Sequence, residues 1–433
     1  MRKIFKIIIL ILIASPVFSQ DVLTLNQAVE LALKNNYDIA ILKNKAEIAS
    51  INSDATVANF LPKAGLSLAQ SASLNNLHQQ LSNGSETKKN GVTGSNINPA
   101  LNVTWTLFDG MKMFATQNKL KRVKEVGELN YQDTIQTMVA SAITAYFDVV
   151  SAKQQLNALN DAIKISDERV KLAEKQFQVG YSSKVDWLQA RVDLNEQKSL
   201  IINQTKLIEQ KKAELNRILA RAPETNFETT DSIPFNDELS KITATELDYR
   251  NLQMKVAAKN VEVQRFARKE IFSNYLPQLA IGGSYGYNQT KNSAGFTLLN
   301  QSQGFSEALS LNVPLFNGTL TRKQVKVADI NVLNAETTYN KIHLLTKVKY
   351  FKAQKDYEKA VESLNLEEEN ILLVKENLAI ATDRYRLRES TAIELRQAEQ
   401  SYTDAFTRLV TARFAAKSAE TELLRLMGIL VKN

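Results

Sequence analysis

The same order of short motifs occurs twice along the chain, and this internal repeat limits the folds that it can adopt. The segment from Leu107 to Gly110 (LFDG) recurs from Leu315 to Gly318 (LFNG), 208 residues later (315 − 107 = 208). The same offset pairs Phe177 with Tyr385, so one register holds over a long stretch. Self-similarity at a fixed separation is the mark of a repeated structural unit. We therefore expect a tandem duplication of a unit of about 200 residues.

Two short segments in each copy alternate between apolar residues and small or polar ones, which is the period of a β-strand. The predicted strands lie at about 63–74, 100–108, 278–288 and 307–316. A polar loop is expected between the members of each pair, from Asn75 to Pro99 and from Asn288 to Glu307. Strands of about ten residues with one apolar face are typical of membrane β-barrels, although a soluble antiparallel sheet with one wet face shows the same alternation.

A long helical segment follows each strand pair. From 135 to 177 the apolar residues recur in alternating steps of three and four, and a second such seam runs from Tyr350 to Tyr385, interrupted by Glu367. This spacing specifies left-handed coiled-coil packing. A continuous helix from Met111 to Gln178 would span about 100 Å. We expect helical hairpins at 111–219, with its tip near 180, and at 319–427, with its tip near 388.

The N-terminal residues have the pattern of a secretory signal peptide. Arg2, Lys3 and Lys6 precede an apolar run from Ile7 to Ile13, and the predicted cleavage site lies near Ser19. The expected organisation is a signal peptide at 1–19, a first repeat at 20–221, a connector at 222–241 and a second repeat at 242–433. The chain has no cysteine, which excludes disulfides and a lipid-bearing cysteine.

Four strands cannot close a cylinder, and an open sheet edge in hydrocarbon costs several kcal/mol for each unpaired backbone group. The chain is therefore expected to oligomerise if its strands enter a membrane. Two copies would supply eight strands, whose interior side chains would fill, whereas three would supply twelve and leave room for a channel. Beyond the signal segment we find no apolar stretch near the ~20 residues that a membrane helix needs.

Several fragments in this order resemble the TolC-type outer-membrane efflux protein family over nearly the whole mature length. They are the opening 23–36 (LTLNQAVELALKNN), the Leu-Pro pair before each first strand, the LFDG and LFNG segments, and the tip 179–191 (VGYSSKVDWLQAR). In the opening, Thr24 and Gln27 also have the spacing of a capping box for the first helix.

The resemblance implies a mainly α-helical fold with a membrane β-barrel. In this family three copies form a twelve-strand barrel in the outer membrane and a twelve-helix tunnel in the periplasm. The duct is passive, needs no cofactor and docks onto a periplasmic adaptor protein that is joined to an inner-membrane pump. The expected function is the exit duct of a tripartite efflux or type I secretion system of a Gram-negative cell. The family exports drugs, metals and proteins, so the resemblance does not select the cargo.

The resemblance also assigns roles to residues at the two tips. The residues that match the adaptor-docking tips are Val179, Gly180, Tyr181, Leu387, Arg388 and Glu389. The second tip lacks the glycine, which leaves open whether it turns in the same way. Glu394 and Gln397 match positions that narrow the tunnel, and Asp186 with Tyr385 matches a latch that holds this aperture closed.

Other functional classes fit less well. Gly282 to Gly286 (GGSYG) matches the G-x-S-x-G motif of esterases, but the alternation continues through it, where an esterase needs a strand, a sharp turn and a helix. The net charge of +8 falls to +5 without the three signal cations (8 − 3 = 5) and is dispersed, which disfavours nucleic-acid binding. A periplasmic adaptor, which has one coiled-coil hairpin between small β-domains, is the main alternative.

Overall fold

The computed structural model describes residues 22–230, 232–235 and 246–431 of the 433-residue chain. The predicted signal peptide at 1–19 lies outside the described residues, and so does the end of the predicted connector, 236–241.

The described elements follow a similar order in each half: a short helix or strand, a longer helix, two strands and two long helices. In the first half they are β1 (Val22–Leu23), α1 (Leu25–Asn35), α2 (Tyr37–Asn52), β2 (Lys63–Gln80), β3 (Glu86–Asp109), α3 (Lys112–Gln178) and α4 (Lys184–Ile218). In the second they are β4 (Glu228–Thr229), α5 (Leu247–Arg250), α6 (Leu252–Phe272), β5 (Gln278–Asn292), β6 (Leu299–Asn312), α7 (Leu320–Arg386) and α8 (Ala392–Leu426). The long helices match in length, with 67 residues in α3 and α7 and 35 residues in α4 and α8.

The chain divides into two compact units. One contains the described residues of Met1–Ala40, Asp133–Asn251 and Thr346–Asn433, and the other contains Ile41–Gln132 and Leu252–Leu345. We call them the tip unit, because it holds both helix–helix turns, and the sheet unit, because it holds the four long strands.

The sheet unit contains an antiparallel sheet in the order β2-β3-β5-β6. Its strands extend further toward their hairpin turns than the alternation predicted. In the first pair the ladder runs to Gln80 opposite Glu86, so only 81–85 remain of the polar loop expected at 75–99. Backbone hydrogen bonds hold a ladder together whatever the polarity of its side chains. For this reason the side-chain alternation predicted strands that are shorter than the observed ones.

The last strand is displaced from its predicted position at 307–316. β6 begins at Leu299 and ends at Asn312, two residues before Pro314. Proline has no N–H to donate to a ladder, which explains why the strand stops there although the alternation continues.

The four strands share one apolar face. The register places Leu66 opposite Leu101, Leu101 opposite Tyr285, and Tyr285 opposite Phe305, so that these side chains form one row across the sheet. The neighbouring row on the other face is polar, with Gly65, Asn102, Ser284 and Ser306. The two faces therefore differ in polarity as the sequence predicted.

The core of the tip unit forms where α1, α3 and α4 pack together. Tyr146 is fully buried, and its hydroxyl donates a hydrogen bond to the carbonyl of Leu23 at 2.9 Å. Thr24 and Gln27 form the predicted capping box at the start of α1. Of the predicted coiled-coil seam of α3, the small residues Ala142, Ala152 and Ala173 are all buried.

Among the described residues, α3 is the one helix that meets the length and composition expected of a membrane span. Just over half (56%) of the qualifying 18-residue window is buried inside the chain, as in a helix that packs against other helices.

Candidate functional site at the hairpin tips

The first tip is a compact reversal between α3 and α4. Gly180 adopts a left-handed conformation with φ of +78°. Its amide donates to the carbonyl of Phe177 at 3.0 Å, and the amide of Tyr181 donates to the carbonyl of Gln176 at 2.8 Å. These two bonds form a Schellman motif, in which a left-handed residue ends the helix and satisfies its last carbonyls.

The second tip reverses in the same way without a glycine. Arg388 has a φ of +64°, and its amide donates to the carbonyl of Tyr385 at 3.2 Å. The amide of Glu389 donates to the carbonyl of Arg384 at 2.8 Å. The two tips thus share one backbone geometry at the repeat offset (388 − 180 = 208). A side chain in this conformation costs roughly 1–2 kcal/mol that Gly180 avoids.

The two tips touch through their side chains. The guanidinium carbon of Arg388 lies 4.6 Å from the centre of the Tyr181 ring. A cation over the face of an exposed aromatic ring contributes about 0.5–1 kcal/mol, which offsets part of the backbone strain at Arg388. Val179 and Leu387 beside this contact are 63% and 69% exposed. The tips therefore present apolar side chains to the surroundings.

Asp186 and Glu394 occupy equivalent positions in the two hairpins (394 − 186 = 208), but their carboxylates have different surroundings. The carboxylate of Asp186 accepts hydrogen bonds from the hydroxyls of Ser182 and Ser183 at 2.9 and 2.8 Å and from the amide of Ser183 at 3.1 Å. These hydrogen bonds lower the pKa of Asp186, and the bond from the Ser183 hydroxyl has the largest effect. This capping box starts α4.

In the second hairpin the hydroxyl of Thr391 accepts a hydrogen bond from the amide of Glu394 at 3.2 Å. The Glu394 carboxylate makes no hydrogen bond or ion pair within the described residues. Glu394 and Gln397 are both exposed and lie one helical turn apart on α8. The Glu394 carboxylate is therefore free of hydrogen bonds within the described residues, whereas three hydrogen bonds hold the Asp186 carboxylate.

Tyr385 and Asp186, the predicted latch, line one cavity of about 320 Å³. The side chain of Tyr385 is 7% exposed and packs against Leu395 and Ala398. Burial raises the pKa of the Tyr385 hydroxyl, the charge of Arg169 opposes this, and the charge of Asp186 adds to it. The two side chains therefore share a cavity, and the hydrogen bonds described for Asp186 all go to the capping serines.

A buried charged cluster beside the tips joins three helices and was not predicted from the sequence. Arg169 on α3 is 4% exposed, and its guanidinium contacts Asp193 on α4 at 3.0 Å and Glu399 on α8 at 3.2 Å. Burial raises the pKa of Glu399, and the charge of Arg169 counteracts it. Arg169 Nε and Glu399 Oε1 have no hydrogen-bond partner.

The cluster has no counterpart in the other repeat position. At the offset of 208, Arg169 corresponds to Asn377 and Asp193 corresponds to Ser401. Two positions beside the coiled-coil seam are thus charged in the first hairpin and neutral in the second. This difference is the sequence signal that could have indicated the cluster.

The described residues show no chemistry that competes with these contacts. Gly282 to Gly286 lie within the continuous strand β5, which removes the strand–turn–helix context that a nucleophilic serine needs. Among the described residues, no group of three or more His, Asp or Glu side chains is arranged to hold a metal ion.

The described residues thus contain a sheet with one apolar face and two long helical hairpins that end in matched turns. The family model described as "Outer membrane efflux protein" matches residues 28–221 and 245–429. The chain belongs to this outer membrane efflux protein family, and it is an outer-membrane efflux channel. The alternative of a periplasmic adaptor is not supported.

Individual relatives agree with this assignment. The chain is 21% identical over 340 residues to the outer membrane protein TolC of Escherichia coli (strain K12), covering 75% of this chain and 68% of TolC. It is 27% identical over 343 residues to the toxin and drug export protein A of Aggregatibacter actinomycetemcomitans, covering 73% and 67%. The crystal structure of the Campylobacter jejuni CmeC outer membrane channel has the same fold, with a TM-score of 0.80 at 18% identity over 94% of this chain and 86% of CmeC.

Proposed function

We propose that three copies of this chain form a passive exit duct that carries substrates from a periplasmic adaptor and an inner-membrane pump across the outer membrane. The strands β2, β3, β5 and β6 of the three copies would form a twelve-strand barrel. The helices α3, α4, α7 and α8 would form a twelve-helix tunnel in the periplasm.

The observation that carries this proposal is the open sheet. β2 and β6 are its two edges, and the outer side of each has no partner strand among the described residues. An edge in hydrocarbon must be paired, and in an antiparallel sheet of four strands β6 of one copy can pair with β2 of the next. Three copies give the smallest such barrel that leaves a channel.

The tips are the part of the duct that we propose to meet the adaptor. Val179, Gly180 and Tyr181 of the first tip and Leu387, Arg388 and Glu389 of the second would form the docking surface. Exposed apolar side chains at rigid turns support this role, because surfaces of that kind commonly bind protein partners.

Behind the tips, we propose that Glu394 and Gln397 line the aperture and that Tyr385 and Asp186 hold it closed. Their support is the free carboxylate of Glu394 and the cavity that Tyr385 and Asp186 share. A ring of three glutamates would favour cations at the constriction. The division into two repeats joined by residues 222–241 also belongs to this proposal, and it is supported by the two separate family matches.

Fractionation tests the proposal. We expect the protein in outer-membrane extracts, as a trimer on unheated denaturing gels that becomes a monomer after boiling. Recovery as a soluble periplasmic monomer would disprove the duct. A trimer whose purified form gives no conductance in planar bilayers would disprove the channel while leaving the assembly intact.

A further inference from the structure

The apolar face of β6 carries one charged residue. Within Leu299–Asn312 the only charged side chain is Glu307, and it lies between Phe305 and Leu309 on the apolar face. Across the ladder it faces Gly283, which has no side chain, and beyond that Val103. Glu307 therefore meets no donor inside its own sheet, and the described residues give it no hydrogen bond or ion pair.

A carboxylate that faces lipid without a partner is costly, because hydrocarbon offers no hydrogen bonds. β6 is an edge strand, so Glu307 has Gly283 of β5 on one side and, on the other side, the strand that would close the sheet. In the proposed trimer, on which this inference rests, that strand is β2 of a second copy. The partner of Glu307 must then be sought along the apolar face of β2.

The apolar face of β2 carries one polar side chain between Lys63 and Leu74. Leu66 belongs to this face by register, so its other members are the even-numbered residues. From the start of the strand to Leu74 they are Ala64, Leu66, Leu68, Gln70, Ala72 and Leu74. Of these, Gln70 alone can donate a hydrogen bond to a carboxylate. It is exposed and has no hydrogen bond within the described residues.

The register of the sheet brings these two residues to the same level. Three ladders connect Glu307 to Gly283, Gly283 to Val103, and Val103 to Ala64. In a closed barrel the strands tilt by about 35–45° from the barrel axis, are about 4.8 Å apart and rise about 3.3 Å per residue. Three spacings within the sheet and one across the seam make four spacings. Over four spacings this tilt shifts the residue that lies opposite by about 4 to 6 positions along the strand. Glu307 of one copy should then lie opposite a residue 4 to 6 positions from Ala64.

Only one direction and one residue satisfy these conditions. A shift toward lower numbers would fall before Lys63, where β2 begins. A shift toward higher numbers reaches Leu68 or Gln70 on the apolar face, and the polar member is Gln70 (70 − 64 = 6). We propose that the side-chain amide of Gln70 in one copy donates a hydrogen bond to the Glu307 carboxylate of its neighbour, and that this pair sets the register of the seam between copies.

Because the chain has no cysteine, paired cysteines test the contact directly. Opposite residues on neighbouring strands have Cβ atoms about 4.5–5.5 Å apart, close to disulfide range, whereas residues four positions away are displaced by about 13 Å. We expect Glu307→Cys with Gln70→Cys to give covalent dimers and trimers on boiled non-reducing gels after oxidation with copper phenanthroline. Glu307→Cys with Leu66→Cys or with Leu74→Cys should give monomers, and these are the matched controls.

The outcomes separate this inference from the proposed assembly. Cross-linking through Leu66, Leu74 or a further pair with Leu68→Cys, in place of Gln70, would overturn the register. No cross-link from any of these four pairs, in a protein that still runs as a trimer unheated, would overturn the pairing of β6 with β2. A monomer before heating in every variant and in the unsubstituted protein would overturn the trimer itself.

A second measurement tests the hydrogen bond. Gln70→Leu leaves Glu307 without a donor, so it should lower the temperature at which the trimer band disappears. Gln70→Leu with Glu307→Leu removes both groups and should restore that temperature. Equal loss in the single and double variants would show that the two side chains do not interact.

Discussion

The guanidinium of Arg388 lies over the ring of Tyr181, with 4.6 Å between the guanidinium carbon and the ring centre, so the two hairpin tips are joined by a cation–π contact. Arg388 also holds the left-handed position that glycine holds in the first tip. Arg388 therefore has a strained backbone and also makes the contact between the tips.

Substitutions at Arg388 should separate these two effects. Arg388→Gly removes the strain and the ring contact together and should change the free energy of unfolding of the tip by less than about 1 kcal/mol. Arg388→Ala keeps the strained backbone and loses the ring contact. It should lower the free energy of unfolding of the tip by about 0.5–1 kcal/mol. Hydrogen exchange of the Glu389 amide, which depends on this turn, measures both. Faster exchange in the glycine variant than in the alanine variant would contradict the account.

The buried cluster of Arg169, Asp193 and Glu399 predicts a large loss on removing its cation. Arg169→Met leaves the buried carboxylate of Glu399 without its counter-ion, which typically costs about 3–5 kcal/mol, whereas Asp193 keeps Arg396 at 3.8 Å. Arg169→Met with Asp193→Leu and Glu399→Met should recover most of that stability, because an apolar replacement of the whole cluster leaves no unpaired charge. Thermal unfolding of the three proteins at one pH decides this, and an equal loss in the single and triple variants would contradict it.

Glu399 also predicts a dependence of stability on pH. Burial raises its pKa in the folded protein above the ordinary value, so the folded state binds the proton more tightly than the unfolded state. This group therefore favours folding below its ordinary pKa, and its contribution declines as the pH rises from the ordinary toward the raised folded pKa. In Glu399→Gln the unfolding temperature should no longer decline between these two pKa values. In Glu394→Gln, at an exposed position, the decline should remain.

The latch predicts a change in conductance. Tyr385→Phe with Asp186→Ala should raise the single-channel conductance in planar bilayers, because it removes two polar groups that line one cavity and are proposed to hold the aperture closed. Asp186 also caps α4, so Ser183→Ala is the matched control: it weakens the cap by about 1 kcal/mol and retains the Asp186 carboxylate. Equal conductance in the double variant and in the unsubstituted channel would argue against the latch, and a rise in the serine variant would assign the effect to the cap.

The aperture predicts a change in ion selectivity. Glu394→Gln should lower the permeability ratio of cations to anions, and Gln397→Glu should raise it, because each changes the charge of a threefold ring. Glu389→Gln removes a charge at the tip and serves as the control. Reversal potentials in a salt gradient measure the ratio. A larger effect from Glu389 than from Glu394 would move the selective ring to the tip itself.

Much of this protein follows from periodicity. The alternation of apolar residues located four strands and predicted the two faces of the sheet, and the spacing of three and four predicted hairpins whose observed ends lie within a residue or two of the expected ones. Thr24 and Gln27 predicted their capping box from spacing alone. Local patterns are sufficient here because each depends on neighbours along one element.

The strand ends and the buried cluster could not be predicted in this way. β2 and β3 continue into polar sequence because each backbone finds its partner across the ladder, which no single strand reveals. Arg169, Asp193 and Glu399 come from three different helices, and nothing in the order of residues along one helix shows that a charge will be buried by two others.

The sequence by itself determined the type of each element and the family, and it predicted the repeat. The structure decided which residues with matched positions keep matched roles. Gly180 and Arg388 form the same turn despite different side chains, because two helix-ending hydrogen bonds impose the left-handed backbone on both. Asp186 and Glu394 differ despite similar chemistry, because Ser182 and Ser183 bind one carboxylate and leave its counterpart free. These two differences arise within single turns, whereas the contact of Arg388 with Tyr181 and the cluster of Arg169, Asp193 and Glu399 join separate helices, which only the tertiary structure brings together.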